Sequence, residues 1–526
     1  MSTIAAPHRT HRVRTIALGV VAMLAMSSCQ PNRFISGWIP YWGGTKSRAA
    51  ITDASTTTLF SEASLFWYGA RGDGTVTLNG TQGNLTTTVN ALRAQGLPVI
   101  PTVVDGTAPG TMSGILANSV QRANHISQLV ALVTTKGYDG VDLDYEVFAY
   151  NKSQIAIWST IKPNWIAFVS QLAAELHVRG KVLSVTVPPV WNSGASGYTV
   201  YAQAEIAPWV DRLRLMVYDW SVSTPGPIAP MSWVNSVIAY SSSVVPVSKL
   251  QLGVPAYGRH WAVKKNAADV CSTAMVFNDA ITLPEVGPLA ASHGVTPVRD
   301  SYGELTFSWV ESSAGEQVVT STPPGYATSG SIAANVNSPT GEVLGRAQRV
   351  NPNIPANCTV QHTVHVPDAT SIRQRADAAL AAHWSGIAIW ALGYETSEVY
   401  SALATVSAQR PNTTPPITID TPITFTSPTP TGSTTTISGI AYHGEFDLSV
   451  PVRITVTRQF NGDTATVTKL ARESRSGLPA GVGPFHGFSQ SWFLAPDTYT
   501  LCVTQLGWGG TTLQSDCSQT FTVIAG

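Results

Sequence analysis

The sequence predicts an α/β protein: a (β/α)8 TIM barrel with a subdomain inserted between strands 7 and 8, followed by an all-β sandwich. Three observations predict it. Short apolar runs alternate with amphipathic helical stretches up to about residue 410. The interval between the seventh and eighth runs is far longer than the ~30 residues of a βαβ unit. Beyond it, a Pro/Thr-rich stretch gives way to text with strand periodicity and frequent Gly and Pro.

The elements follow in order. Arg9, Arg12 and Arg14 precede an apolar run from Ile16 to Met26, and Ser27, Ser28 and Cys29 follow it. A basic start, a short apolar centre and small residues after it describe a signal peptide over residues 1–29. The run is shorter than the ~20 residues of a membrane span. Leu24-Ala25-Met26-Ser27-Ser28-Cys29 resembles a bacterial lipobox, which makes Cys29 the candidate lipidation site. The barrel occupies 30–410. Its strand-like runs are Phe34–Trp42, Glu62–Tyr68, Pro98–Val104, Asp139–Asp144, Val182–Pro189, Arg212–Asp219, Leu250–Tyr257 and Gly386–Leu392. Helical spacing over Gln121–Lys136, Ile155–Arg179 and Ser371–His383 supplies segments between them, and Gly180 is a helix-ending residue. Strands alternating with helices imply parallel βαβ units, and eight of them suit a closed barrel. The insertion covers about 262–369. Residues 411–437 read as an extended linker, and 438–526 as a β-sandwich.

Composition excludes whole classes. The chain has 526 residues, 12% of them charged, with 31 Lys+Arg against 31 Asp+Glu. A neutral chain lacks the basic surface of a nucleic-acid binder, so no nucleic-acid partner is expected. At 44% hydrophobic it is not a disordered chain either. Low charge with abundant Ser and Thr suits an exported protein, secreted or held at the outer face of the membrane by a lipid on Cys29. Five cysteines are an odd number, so one has a separate fate. With Cys29 lipidated, Cys271, Cys358, Cys502 and Cys517 remain. Three pairings are possible, and the simplest joins Cys271 to Cys358 and Cys502 to Cys517 in an oxidising compartment. No spacing suggests a metal site, no cofactor is implied, and the chain is expected to be a monomer.

The chemistry concentrates in Gly137-Tyr138-Asp139-Gly140-Val141-Asp142-Leu143-Asp144-Tyr145-Glu146. Side chains alternate across a strand, so Asp142, Asp144 and Glu146 share one face and Val141, Leu143 and Tyr145 the other. The apolar face suits the helices. The carboxylates then point into the barrel, about 6.6 Å apart, and climb towards the C-terminal end where barrel active sites lie. Like charges and burial raise carboxyl pKa values, so one member should keep a proton and serve as a general acid. Glu146, nearest the mouth, is the candidate acid. Asp144 lies between it and Asp142, within hydrogen-bonding reach of either. Asp139 has the opposite parity and a structural role beside Gly140. An acidic surface strand or a metal-binding carboxylate cluster are the alternative readings.

Asp139-Gly140-Val141-Asp142-Leu143-Asp144-Tyr145-Glu146 resembles the signature of glycoside hydrolase family 18, the chitinase-like barrels. Met216-Val217-Tyr218-Asp219 resembles that family's sixth strand, Gly253–Arg259 its seventh, and Gly386-Ile387-Ala388-Ile389-Trp390 its eighth. The resemblance covers about 35–395. It implies a retaining, substrate-assisted mechanism. Glu146 would protonate the leaving oxygen, and the 2-acetamido carbonyl would attack the anomeric carbon. Asp144 and Tyr218 would hold the acetamido group, and Trp390 would floor the sugar site. Asp219, Met216, Tyr41 and Trp67 are further substrate-binding candidates, although aromatic residues there could equally be core. The third strand, Pro98–Gly106, lacks the Ser-x-Gly-Gly of typical chitinases. Gly37–Trp42 and Phe66–Tyr68 are more similar to the bacterial branch containing spore-cortex and cell-wall glucosaminidases. The implied partner is a polysaccharide containing N-acetylglucosamine, either chitin or peptidoglycan. A catalytically weak, lectin-like binder on the same scaffold is the alternative, disfavoured by the retained Glu146. The region from His486 through Cys502 to Cys517 resembles a small domain appended to actinobacterial cell-wall hydrolases. A wall-binding module and a stability module both remain open for it.

Overall fold

Each of the eight apolar runs coincides with a parallel strand of one closed barrel. They are β1 (Phe34–Pro40), β2 (Glu62–Ala70), β3 (Thr102–Asp105), β4 (Gly140–Asp144), β5 (Val182–Val187), β6 (Arg212–Met216), β7 (Leu250–Pro255) and β8 (Gly386–Trp390). Each strand pairs with its neighbour in this order, and β1 closes the ring by pairing with both β2 and β8. This computed structural model describes residues 34–53, 59–95, 97–150, 152–265, 275–312, 359–407, 417–420, 423–442, 449–478, 485–506 and 512–524. The expectations for the signal peptide, for lipidation of Cys29 and for a Cys271–Cys358 disulfide lie outside these residues.

Several strands stop earlier than the apolar runs suggest. β1 and β7 end on Pro40 and Pro255, which cannot donate to the ladder. Beyond the ladder, the chain turns into loops that carry Tyr41, Trp42, Tyr218 and Asp219 over the barrel mouth. At the other end, Gly140 opens β4 because a Cβ there would lie 2.3 Å from the Val182 carbonyl oxygen. The helix Ser119–Lys136 starts on Asn118, whose side chain accepts from the amides of Val120 and Gln121. It ends at Gly137, in the left-handed region at φ 65°. The long segment after β4 divides into the short helix Lys152–Ile155 and the helix Trp158–His177. No helix among the described residues is long and apolar enough to cross a membrane.

The insertion is a five-stranded antiparallel sheet, in the order Met275–Thr282, Tyr257–Lys264, Thr359–Val366, Leu305–Ser312, Val298–Arg299. It begins earlier than the expected residue 262. Tyr257 already pairs with Thr282, and Arg259 with His365, so the chain leaves the barrel directly after Pro255.

The expected linker at 411–437 is corrected over its described residues, 417–420 and 423–437. Ile417–Ile419, Thr424–Thr429 and the start of Gly432–Ala441 are strands of the C-terminal domain. Threonine is β-branched and suits a half-exposed strand. Pro428 sits at an irregularity in an edge strand, where a missing N–H is tolerated. Two antiparallel sheets enclose one core there. One supplies Ile437 and Phe488, the other Val452, Ile454, Leu501 and Val503. Cys502 and Cys517, on the paired strands Asp497–Leu506 and Thr512–Val523, form a disulfide.

Candidate active site

β4 presents the carboxylates as its alternation requires. Val141, Leu143 and Tyr145 are fully buried on the helix side. Behind the strand, the Tyr145 hydroxyl meets His125 Nε2 at 2.6 Å, and Tyr201 donates to the Tyr145 carbonyl at 2.7 Å. On the inner face, Asp142 is 0% exposed and Asp144 6%. An acidic surface strand is therefore not what this segment forms. Asp139, of opposite parity, accepts the Val99 amide at 2.8 Å and ties β4 to the segment leading into β3.

Asp142 is surrounded by donors. Its Oδ2 accepts from Trp38 Nε1 at 3.1 Å and Thr102 Oγ1 at 2.9 Å, and its Oδ1 accepts from Thr186 Oγ1 at 3.0 Å. Arg214 Nη1 lies 3.5 Å from Oδ2. Donors from β1, β3, β5 and β6 thus converge on one carboxylate. Asp144, one step higher, has a different environment. Its Oδ1 is buried with no hydrogen-bond partner. Burial, then the charges of Glu146 and Asp142, push its carboxyl well above the ordinary value.

Glu146 lies past the end of β4, where the chain enters the short helix Val147–Tyr150. Its side chain is part-exposed at the mouth, and its carbonyl accepts the amides of Ala149 and Tyr150. Tyr150, Tyr198 and Tyr201 surround it. Burial and then the Glu146 charge push all three phenols up. Tyr218 stands after β6; burial, then Asp144 and Glu146, push its phenol well up. The structure thus brings together Asp142, Asp144, Glu146 and Tyr218. Asp219 follows at φ 58°, a conformation that Asp tolerates better than most residues, and the buried Arg259 donates to it at 3.1 Å. Met216 shares the inward parity of Arg212 and Arg214 and is nearly buried above them.

Trp390 ends β8 at the mouth, with Trp38, Phe66 and Trp42 around it at ring separations of 6.0, 4.7 and 6.4 Å. One expected substrate contact, Trp67, is placed differently. Phe66, not Trp67, meets Trp390. Trp67 has the opposite parity, is 2% exposed, and packs with Tyr41 against Gly80. Tyr41 is half-buried and meets the edge of Trp42, which donates to the Tyr394 hydroxyl at 2.8 Å. The rim also carries Trp220, exposed beside Asp219, in ring contact with Trp191 and Trp233.

Sequence reasoning missed Trp38, Thr102, Thr186, Arg214 and Glu62. A signal existed for one of them: Arg212-Leu213-Arg214-Leu215 alternates like the carboxylate strand, which places two cations inside the barrel. The threonines and Trp38 carry no local mark. Among the described residues, no cluster of three His, Cys, Asp or Glu could hold a metal ion.

Comparison with known proteins gives a consistent answer. The Bacillus subtilis glycosylase YvbX, described as uncharacterized, is 26% identical over 211 residues, which is 39% of this chain and 56% of its own. Endochitinase 1 of Metarhizium robertsii is 25% identical over 161 residues, covering 27% of this chain and 36% of its own. The chain therefore spans only about a third to a half of the length of such curated relatives. A chitinase of Chromobacterium violaceum superposes with a TM-score of 0.53 at 21% identity, over 72% of this chain and 100% of that one. A chitinase of Cycas revoluta, solved with (GlcNAc)3, does so with a TM-score of 0.50 at 16% identity, over 71% and 99%. These structural likenesses speak to the fold. Residues 39–395 match the family described as Glycosyl hydrolases family 18, and the chain belongs to that family.

Proposed function

We propose that this protein is a retaining glycosidase that cleaves β-1,4 bonds beside N-acetylglucosamine in chitin, chito-oligosaccharides or peptidoglycan. The observation that carries this reading is the inward line Asp142, Asp144, Glu146, with the acid at the mouth and an unpartnered oxygen on Asp144. The (GlcNAc)3 bound to the Cycas revoluta chitinase supports the substrate class.

Glu146 gives its proton to the glycosidic oxygen as the C–O bond breaks. The acetamido carbonyl oxygen of the same sugar attacks the anomeric carbon and forms an oxazolinium ion. Asp144 accepts the acetamido N–H and balances the positive charge, and the Tyr218 hydroxyl donates to the acetamido oxygen. Glu146, now a carboxylate, takes a proton from water. That water opens the ring with retention and regenerates the acid. Trp390 offers an apolar face to the sugar in the cleaved position. We place the protein at the cell envelope, exported and lipid-anchored through Cys29; Cys29→Ser should release it from membranes, and unchanged retention would refute the anchor.

The deciding experiment compares wild type with Glu146→Gln on N-acetylchito-oligosaccharides and on peptidoglycan. The variant should lose about 10²–10⁴-fold in kcat with KM little changed. A wild type that binds both polymers and cuts neither would make the protein a carbohydrate binder instead. A variant as active as wild type would remove Glu146 from the acid role.

A further inference from the structure

Beneath the carboxylate line stand two buried arginines that no part of the proposed reaction uses. Arg212 and Arg214 alternate with Leu213 and Leu215, so both guanidinium groups enter the barrel. Arg212 is 2% exposed and Arg214 0%. Buried cations require anions nearby, because an unopposed buried charge is costly. Glu62, from β2, is one. It pairs with Arg212 at 2.9 Å and also with Arg214. Asp211 also acts on Arg212, and Asp142 lies 3.5 Å from Arg214.

Arg214 is held firmly for this task. It donates to Ser64 at 2.6 Å and to Gln251 at 3.1 Å, and its guanidinium lies 5.3 Å from the Trp38 ring centroid. Trp38 is the residue whose indole N–H donates to Asp142. The charged and titratable groups around Asp142 are Glu62 on β2, Arg212 and Arg214 on β6, Tyr218 beyond β6, and Asp144 and Glu146 along its own segment. Thr102 from β3, Thr186 from β5 and Trp38 from β1 contribute neutral donors only. A carboxyl group that meets a cation and three donors is held in one orientation through both oxygens. Asp144 has no such counter-ion.

We propose that Arg214, anchored by Glu62, is a positioning residue that fixes Asp142 beneath Asp144 and Glu146, so that the buried charges of the barrel floor act on the two carboxyls that handle the substrate. This rests on the glycosidase reading above. In effect, the barrel floor sets the protonation of the barrel mouth through one shared carboxylate.

The test uses the full chain and three variants with opposite expected signs. Arg214→Gln leaves Glu62 paired with Arg212 and removes the cation beside Asp142. The alkaline limb of kcat/KM on N-acetylchito-oligosaccharides should move up by about one pH unit. Glu62→Gln removes an anion and leaves both arginines, so the limb should move down. Arg214→Lys keeps the charge and should restore the wild-type limb even if stability falls. A purely structural role would lower activity and melting temperature in all three without opposite shifts. Unmoved limbs in folded Glu62→Gln and Arg214→Gln would overturn the proposal, and Glu62→Gln alone decides it if Arg214→Gln does not fold. If the wild type cuts no substrate, the glycosidase reading fails. The inference is then judged separately, by the pH dependence of binding to N-acetylchito-oligosaccharides. Binding profiles that shift in opposite directions in Glu62→Gln and Arg214→Gln support it, and superimposable profiles refute it.

Discussion

Three buried aspartates on neighbouring strands differ only in what surrounds them. Asp142 meets donors from four strands, while Asp144, two residues on, meets like charges and an empty acceptor position. Asp105, at the end of β3, is 2% exposed; burial pushes its carboxyl up to about 6, against hydrogen bonds from the amide and hydroxyl of Thr107. The folded state therefore binds this proton more tightly than the unfolded chain. Below about pH 4 both states are protonated and nothing is lost. Between about 4 and 6 the cost of ionising the buried group accumulates, to roughly 2–3 kcal/mol above pH 6. Asp105→Asn should thus raise the melting temperature at pH 7.5 and leave it nearly unchanged at pH 4, as thermal scans at both values will show. The carboxylate line of β4 was legible because alternation is a local rule. Thr102, Thr186 and Arg214 were not, because what makes them part of the site is contact across the barrel.

Elements show the same division. All eight barrel runs were legible from apolar content, but their C-terminal ends were not, since loops over the mouth are as aromatic as the strands beneath them. The strands within 417–437 are hard to recognise for a related reason. Pro and Thr in a low-charge stretch describe both a linker and an edge strand, and only pairing with Phe485–Leu494 and its neighbours distinguishes the two. The Cys502–Cys517 bridge, with a sequence separation of 15, ties the strands Asp497–Leu506 and Thr512–Val523. A loop of that size limits the unfolded chain by about 3 kcal/mol. Replacing both cysteines with serine should lower the urea stability of the C-terminal domain by up to that amount and leave hydrolysis by the barrel intact.

For the whole molecule, the informative contact joins the C-terminal domain to the barrel. Arg472 is 1% exposed; it donates to the Lys181 carbonyl at 2.9 Å and pairs with Asp211. Burial alone would raise the Asp211 carboxyl, but Arg472 and His177 more than reverse this and hold it below its ordinary range. Lys181 and Asp211 immediately precede β5 and β6, so the domain is mounted at the N-terminal end of the barrel, away from the mouth. That placement favours a bracing role over delivery of substrate to the catalytic line. Removing one partner of a buried pair costs about 3–5 kcal/mol. Arg472→Ala should accordingly separate C-terminal unfolding from that of the barrel in calorimetry, and an unchanged single transition would refute the brace.

By itself, the sequence determined the barrel, the family and the order of the three carboxylates. Each depends on periodicity or on a contiguous motif, and such rules act between near neighbours in the chain. Tertiary structure alone decided which carboxylate is a counter-ion and which is left without a partner. It also decided that Phe66 rather than Trp67 meets Trp390, and where the second domain docks. Those outcomes depend on groups far apart in sequence, such as Glu62, Asp142 and Arg214, sharing one low-dielectric space in which the charge of each acts strongly on the others.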